Sequence, residues 1–205
     1  MIKNHQMQGA PQLIIAGFTL IEVLVSVSIV ATALIGLAGL HLANAKLSHD
    51  TLVRTTANVL AMDMADRIRA NYTAAKLGQN SPYNNANGTQ VGHPNCLGKN
   101  QQGESITTQC NAREMAEQDY YEWSNQLAGA NATDWHGAIA AQLPQGAGIV
   151  CIDSTPEDGT PEAPACDNVL LTPEVLVYAI KIWWVERKDK DQSEQLHQFV
   201  MNVAL

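Results

Sequence analysis

The residues of this chain best placed to do chemistry are a peptide bond and a lone acid near its start. Between Lys3 and Lys46, Glu22 is the only Asp, Glu, Lys or Arg, and it sits in the run AGFTLIEVLVSVSIVATALIGLAGLHLANAK, residues 16–46. A carboxylate in a lipid-length apolar segment costs about 2.5 to 3.5 kcal/mol on insertion scales, so it needs a partner. No Lys or Arg lies close enough in sequence to neutralise it. Hydrolysis of the Gly17–Phe18 bond would supply one: an α-amino group at Phe18, four residues before Glu22 and on the same helix face. That cation could serve its own chain or a neighbouring copy. Glu22 would also lie in the first turns of a helix, where the dipole favours negative charge. Until the cut no such cation exists, so the lone acid points to processing.

A second group is the set of four cysteines, Cys96, Cys110, Cys151 and Cys166, all in the later part of the chain. An even count beyond an apolar segment, among Pro, Gly and Asn, reads as two disulfides in an oxidising compartment. A metal site would need tight pairs such as C-x-x-C, and the sequence has none. Near-neighbour pairing, Cys96–Cys110 and Cys151–Cys166, would close two short loops worth about 3 kcal/mol each in the chain-entropy picture. It is the expected arrangement, and the other two connectivities stay open. A third group is the acidic stretch Asp153, Glu157, Asp158, Glu162 and Asp167. Its carboxylates could ligate calcium, but their spacing matches no EF-hand loop, and Pro156, Pro161 and Pro164 restrict closure. A solvated, disulfide-tethered loop is the expected state. His5, His41, His49, His93, His136 and His197 are scattered, without H-E-x-x-H, G-x-S-x-G or a phosphate loop. No enzyme activity, cofactor or metal is expected. The formal charge of −8 argues against nucleic acid, and the one close basic pair, Arg67 and Arg69, is accompanied by Asp63 and Asp66. Those four are expected to pair on a helix surface.

The elements that must hold these groups follow from periodicity. A secretory signal would explain a small-x-small site at Ala43-Asn44-Ala45, but the apolar run before it is too long and contains Glu22. A plain anchor fits the length, since Val23 to Ala45 is 23 residues without a formal charge, yet leaves Glu22 unexplained. A processed segment explains both. Beyond it, Val53, Ala57, Leu60, Met64 and Ile68 recur every three or four residues and form an apolar stripe, with Asp63 and Arg67 opposite. With no Pro from Phe18 to Ser81, one helix is expected from Phe18 to about Asn71, roughly 80 Å long at about 1.5 Å per residue. Gly36 and Gly39 are its soft points.

GFTLIEVLVSVSIV resembles the processing motif of type IV prepilins and type II secretion pseudopilins. In that family a dedicated peptidase cuts after the Gly and methylates the new amino-terminal Phe. The resemblance implies that Gly17 ends a leader, that Phe18 becomes the methylated first residue, and that Glu22 meets a neighbour's amino terminus during assembly. The leader departs from the usual short basic form: Lys3 is its only Lys or Arg, and Leu13-Ile14-Ile15 is apolar.

The remainder reads as a head. Residues 72–111 are polar and irregular, and the three N-x-S/T triplets, at Asn71, Asn87 and Asn131, are taken as chance. AREMAEQDYYEWSNQLA (112–128) is expected to be a helix with Met115, Tyr120 or Trp123, and Leu127 toward the core. A short helix is expected at 132–143, ended by Pro144. Tyr120, Tyr121, Trp123 and Trp135 are expected to pack rather than form a ligand platform. GAGIVCID (146–153), EVLVYAIKIWWVER (174–187) and EQLHQFVMNVAL (194–205) read as strands, with KDKDQS (188–193) as a charged turn. The expected class is α+β: a long amino-terminal helix under an antiparallel meander, its Ile180, Ile182 and Trp184 covering the stripe. That order is the pilin architecture. DYYEWSNQL…LPQGAGIVCID followed by YAIKIWWVER is similar to the PilV group of minor pilins, also called type IV pilus modification proteins.

The resemblance implies a leader at 1–17, a transmembrane and filament-core helix at 18–45, and a periplasmic head at 46–205. It implies a single pass in a bacterial inner membrane before transfer to a pilus at the cell surface. The implied partners are other minor pilins and the major pilin, the prepilin peptidase/N-methyltransferase, the inner-membrane assembly platform, and membrane lipid before assembly. The expected role is initiation of pilus assembly, serving twitching motility, adhesion or DNA uptake. A type II secretion pseudopilin shares the motif, and an unprocessed, membrane-anchored periplasmic binding domain is the alternative from another class.

Overall fold

In the computed structural model, residues 17–85, 87–89, 91–97, 110–128, 143–170, 175–187 and 193–205 are described. The chain divides into two compact units, Met1–Ser48 and His49–Leu205. Helix α1 spans Leu20–Ala70. In the first unit its apolar side chains are exposed all round, from Leu20 and Ile21 through Ile35 to Leu42. A helix apolar on every side is one that another apolar phase must cover.

In the second unit α1 obeys the opposite rule. Val53, Ala57, Leu60, Met64 and Ile68 are buried as their spacing requires, and Thr56, Ala61 and Ala65 widen the stripe. After Ala70 the chain makes one short helix, α2 (Tyr72–Ala75). The Tyr178 hydroxyl donates to Ala75 O at 2.5 Å and fastens that turn to the sheet.

Helix α3 spans Ala112–Ala128. Asn111 starts it with a reciprocal cap: Glu114 N–H donates to Asn111 Oδ1 at 2.9 Å, and Asn111 N–H to Glu114 Oε2 at 3.0 Å. Ala116, Tyr120, Trp123 and Leu127 form its buried face. Met115, expected in the core, is 36% exposed, because Ala116, about 100° further round the helix, takes the inward position. Trp123 Nε1 donates to Leu60 O at 2.9 Å and ties α3 to α1.

Strands β1 (Ala147–Cys151), β2 (Val177–Arg187) and β3 (Glu194–Ala204) form an antiparallel sheet in the order β1-β2-β3. Val150 pairs with Ile180 and Ile180 with Met201; Trp184 pairs with His197. Side chains alternate across the sheet. Tyr178, Ile180, Ile182 and Trp184 join the α1 stripe in the main core, as expected, with Val150, Ile152 and Val203. Trp183 packs on Ile149, Cys151 and Cys166 in a second cluster. β2 is therefore apolar on both faces but for Lys181, which explains its long apolar run. Gly148 lets β1 approach α3: a Cβ there would lie 2.4 Å from Leu127 Cδ1 and 2.5 Å from Trp123. The expected helix at 132–143 with Trp135, most of the 188–193 turn and residues 98–109 lie outside the described residues, apart from Leu143 and Ser193.

Candidate functional site

Gly17 and Phe18 precede the helix in non-helical backbone, and Phe18 is 83% exposed. The helix starts two residues later than expected, because Thr19 caps it. Glu22 N–H donates to Thr19 O at 3.1 Å and lies 3.4 Å from Thr19 Oγ1. Thr19-x-x-Glu22 is a capping-box pattern, a signal present in the sequence reading only as part of the larger motif. Phe18 thus stands ahead of the first turn. Glu22 lies in the first turn, on the favourable side of the helix dipole.

The other polar side chains of residues 20–40 are satisfied by their own helix. Ser26 Oγ donates to Glu22 O at 2.6 Å, Ser28 Oγ to Leu24 O at 2.9 Å, and Thr32 Oγ1 to Ile29 O at 2.9 Å. Among the described residues the Glu22 carboxylate has no partner. Nothing lies within 4 Å of a Cβ built on Gly17, Gly36 or Gly39, so packing within the chain does not demand glycine there. By length and composition α1 can cross a membrane or act as a signal sequence.

The four cysteines pair as near neighbours at disulfide distance, with Cα–Cα separations of 4.9 Å for Cys96–Cys110 and 6.2 Å for Cys151–Cys166. Cys151, Asp153 and Cys166 lie close together, but with the two sulfurs joined they offer no thiolate to a metal.

The acidic stretch is the disulfide-tethered loop that was expected, with Glu157, Asp158, Glu162 and Asp167 exposed, but Asp153 is buried. Lys181, on the outer face of β2 and 0% exposed, reaches into it. Its Nζ is 2.5 Å from Asp153 Oδ2 and 3.1 Å from Asp158 Oδ1, and it donates to the carbonyls of Asp158 at 3.1 Å and Pro164 at 2.8 Å. The ammonium thus meets two of the five carboxylates, Asp153 and Asp158. Asp167 accepts from the Ser154 hydroxyl and from Ser154 N–H at 3.0 Å. These bonds hold Asp158, through Lys181, and Asp167, through Ser154, below the usual carboxyl range. Lys181 escaped the sequence reading, although a lysine inside YAIKIWWV is as odd as Glu22 in its own run.

Arg67 also does more than the surface pairing expected of it. It bonds Asp63 at 2.9 Å, as the i,i+4 spacing requires, and its Nη1 reaches Asp119 at 3.1 Å and Glu122 at 3.0 Å on α3. Burial works to lower the guanidinium pKa, but Glu122, Asp63 and Asp119 together hold it above the ordinary arginine value. Asp119 also accepts from the Tyr83 hydroxyl at 2.6 Å, and burial raises its carboxyl against the pull of Tyr83 and Arg67. Arg69 keeps to the surface with Asp66 at 3.2 Å. Tyr120 and Trp123 pack in the core as expected, and burial pushes the Tyr120 hydroxyl up to about 12. No protein-family model, no curated protein and no solved structure matches this chain.

Proposed function

We propose that the chain is a minor pilin subunit of a type IV pilus, of the PilV kind, cut between Gly17 and Phe18 and acting without catalysis in the initiation of pilus assembly. The observation that carries this reading is the contrast along α1. The stretch after the Gly17–Phe18 bond is apolar on every face, with one acid in its first turn and no partner for it among the described residues. A cut at an exposed, non-helical bond would free a cation able to meet that acid. The mature protein would wait in the bacterial inner membrane with its head in the periplasm. The assembly platform would then extract it, Glu22 pairing with the amino terminus of a neighbouring minor or major pilin. The α+β head with its terminal meander and paired cysteines suits the pilin architecture and an oxidising compartment.

Two experiments separate the readings. Amino-terminal sequencing and intact mass should give a mature chain starting at methylated Phe18. An uncut chain would leave a plain membrane-anchored periplasmic domain. Gly17→Asp should leave full-length protein in the inner membrane and none in sheared filaments. If processed protein co-purifies with a secretion pseudopilus and never with pili, the pseudopilin assignment replaces this one.

A further inference from the structure

Lys181 and Asp153 are placed as two reactants as much as an ion pair. Nζ lies 2.5 Å from Asp153 Oδ2, and both side chains are 0% exposed. Yet no hydrogen bond runs along that contact. Among the described residues Asp153 Oδ2 has no hydrogen-bond partner, and Nζ donates elsewhere, to Asp158 O and Oδ1 at 3.1 Å and to Pro164 O at 2.8 Å. An ammonium has three protons to donate, so these acceptors use them all. Asp153 Cγ is one C–O bond, about 1.2 Å, from Oδ2, which puts Nζ within about 3.7 Å of it. Reacting atoms in near-attack geometries stand about 3 to 3.5 Å apart. Asp153 Oδ1 is held separately, by Thr155 N–H at 3.0 Å. Gly159, at φ +88°, folds the loop so closely that a Cβ there would lie 2.4 Å from Pro164 O, which brings Asp158 and Pro164 to one nitrogen. On the same face of the sheet the neighbours are apolar: Ile149, opposite Lys181 in the register, with Cys151 and Trp183.

We propose that Lys181 and Asp153 condense to an intramolecular amide, a covalent cross-link between the middle of β2 and the loop after β1. Ammonium and carboxylate give one amide and one water, so the step needs no oxidant, reductant or co-reactant. One proton passes from Nζ to Asp153 Oδ2. The neutral amine attacks Cγ and forms the C–N bond, while Thr155 N–H faces the charge developing on Oδ1 at the distance an oxyanion donor needs. Asp158 Oδ1 takes a second proton from the nitrogen and returns it to the Oδ2 hydroxyl, which leaves as water when its C–O bond breaks. The last N–H keeps Pro164 O as its acceptor. Two effects favour the product. Well-placed groups react at effective molarities of about 10⁵ to 10⁸ M, and a neutral amide replaces two buried charges whose desolvation is costly. Asp158 is not the acyl partner, because its carboxyl is half exposed and hydrogen-bonded to Nζ. Only the folded head brings the groups together, so the ion pair is the reactant state and the bond follows folding. The cross-link tethers the same loop as the Cys151–Cys166 cystine but survives reduction. Its residues lie wholly within His49–Leu205, apart from the assembly role of Glu22.

The test is peptide mapping of the full chain in detergent micelles, shown to be folded by near-UV circular dichroism and incubated at neutral pH to constant mass. The chain is then reduced, denatured and cut by a glutamyl endopeptidase, which acts after Glu122, Glu157, Glu174 and Glu186. Segments 123–157 and 175–186 should stay joined as one branched peptide, lighter by one water than their sum, with fragmentation placing the junction at Asp153 and Lys181. That result needs no variant to fold. Lys181→Arg, which keeps the charge but cannot form this amide, should release the two segments separately. Asp158→Asn should slow the joining at least about tenfold, since it removes the proton acceptor. The proposal is overturned if the folded wild-type chain yields the two segments separately at full mass. It is overturned equally if the loss of water maps to a cyclic imide at Asp158–Gly159 with Lys181 unmodified, or if Lys181→Arg leaves the segments joined.

Discussion

Glu22 and Lys181 are both single charges set in apolar sequence, and the chain treats them in opposite ways. Lys181 is wholly buried and receives two carboxylates and two carbonyls from its own loop. Glu22 stands on an exposed apolar helix with no such provision among the described residues. A buried charge is tolerated only when it is paired and hydrogen-bonded. The head meets that condition internally. In the first unit no partner for Glu22 lies among the described residues, and under the proposed function a neighbouring chain would supply it.

The largest effect should come from breaking the satisfied charge. Lys181→Ala strands Asp153, which is itself 0% exposed, and should cost about 3 to 5 kcal/mol of head stability. Denaturant unfolding followed by near-UV circular dichroism reads the head, since all four tryptophans lie beyond residue 120. Lys181→Met with Asp153→Leu should recover most of the loss, because a packed apolar pair replaces a buried ion pair at little cost. Recovery failing, with the single variant near wild type, would mean the ammonium does not hold the loop.

Next in size is the cystine that closes the same loop. Cys151→Ala with Cys166→Ala releases a loop of sequence separation 15, for which the chain-entropy picture gives about 3 kcal/mol. Lys181 remains as a second tether to Asp158 and Pro164, so the measured loss should fall short of that figure. Adding Lys181→Ala should then cost more than the separate losses summed, since both tethers order one segment. Strict additivity would show that they act on different segments.

These two tethers also show where the sequence could be read and where it could not. The stripe on α1, the three strands and the cysteine pairing were legible because each rests on local spacing. The Lys181 site was not, because its parts come from β2 and from a loop that begins after β1, and only the sheet register brings them together. Arg67 was half legible. Its bond to Asp63 lies within one helix, while those to Asp119 and Glu122 span more than fifty residues. The Thr19 cap is written in the sequence as T-x-x-E, but the same two residues also belong to the longer GFTLIE motif. Met115 was misplaced because one helical position separates an inward from an outward direction.

A smaller effect should appear on titration. Asp158 and Asp167 have carboxyls held below the ordinary 3.8, so the unfolded chain takes up protons first as the pH falls. Their stabilisation is complete above 3.8 and is lost as the pH falls through their lowered values. Asp119 acts in the other direction. Its raised carboxyl keeps its proton longer in the folded state, so that contribution is lost as the pH rises through its folded value. Melting temperature against pH should therefore pass through a maximum to which both sides contribute. Asp167→Asn, which leaves Lys181 untouched, should flatten the acid side, and Asp119→Asn the other. An acid limb unchanged in Asp167→Asn would show that its bonds to Ser154 persist in the unfolded chain.

The smallest effect on the head should come from Glu22→Ala, and its size is the sharpest test of the contrast. The carboxylate has no partner among the described residues, so its removal strands nothing in the folded chain, and the head's unfolding curve should stay within about 0.5 kcal/mol of wild type. Residence in the membrane should, if anything, improve, because an acid in an apolar span is costly. The cut after Gly17 should proceed normally, since Gly17, Phe18 and the Thr19 cap are intact. Only the step that brings chains together should suffer. There the variant leaves a neighbour's ammonium desolvated and unpaired, at about 3 to 5 kcal/mol, a factor of more than about a hundred in the assembly equilibrium. The measurement is the ratio of variant to wild type in sheared filaments at equal membrane abundance. A destabilised head would show that Glu22 has an internal role that its exposed setting does not suggest. A stable head with normal incorporation would remove the reason for reading the lone acid as an assembly contact. The plain anchor would then account for everything the first unit contains.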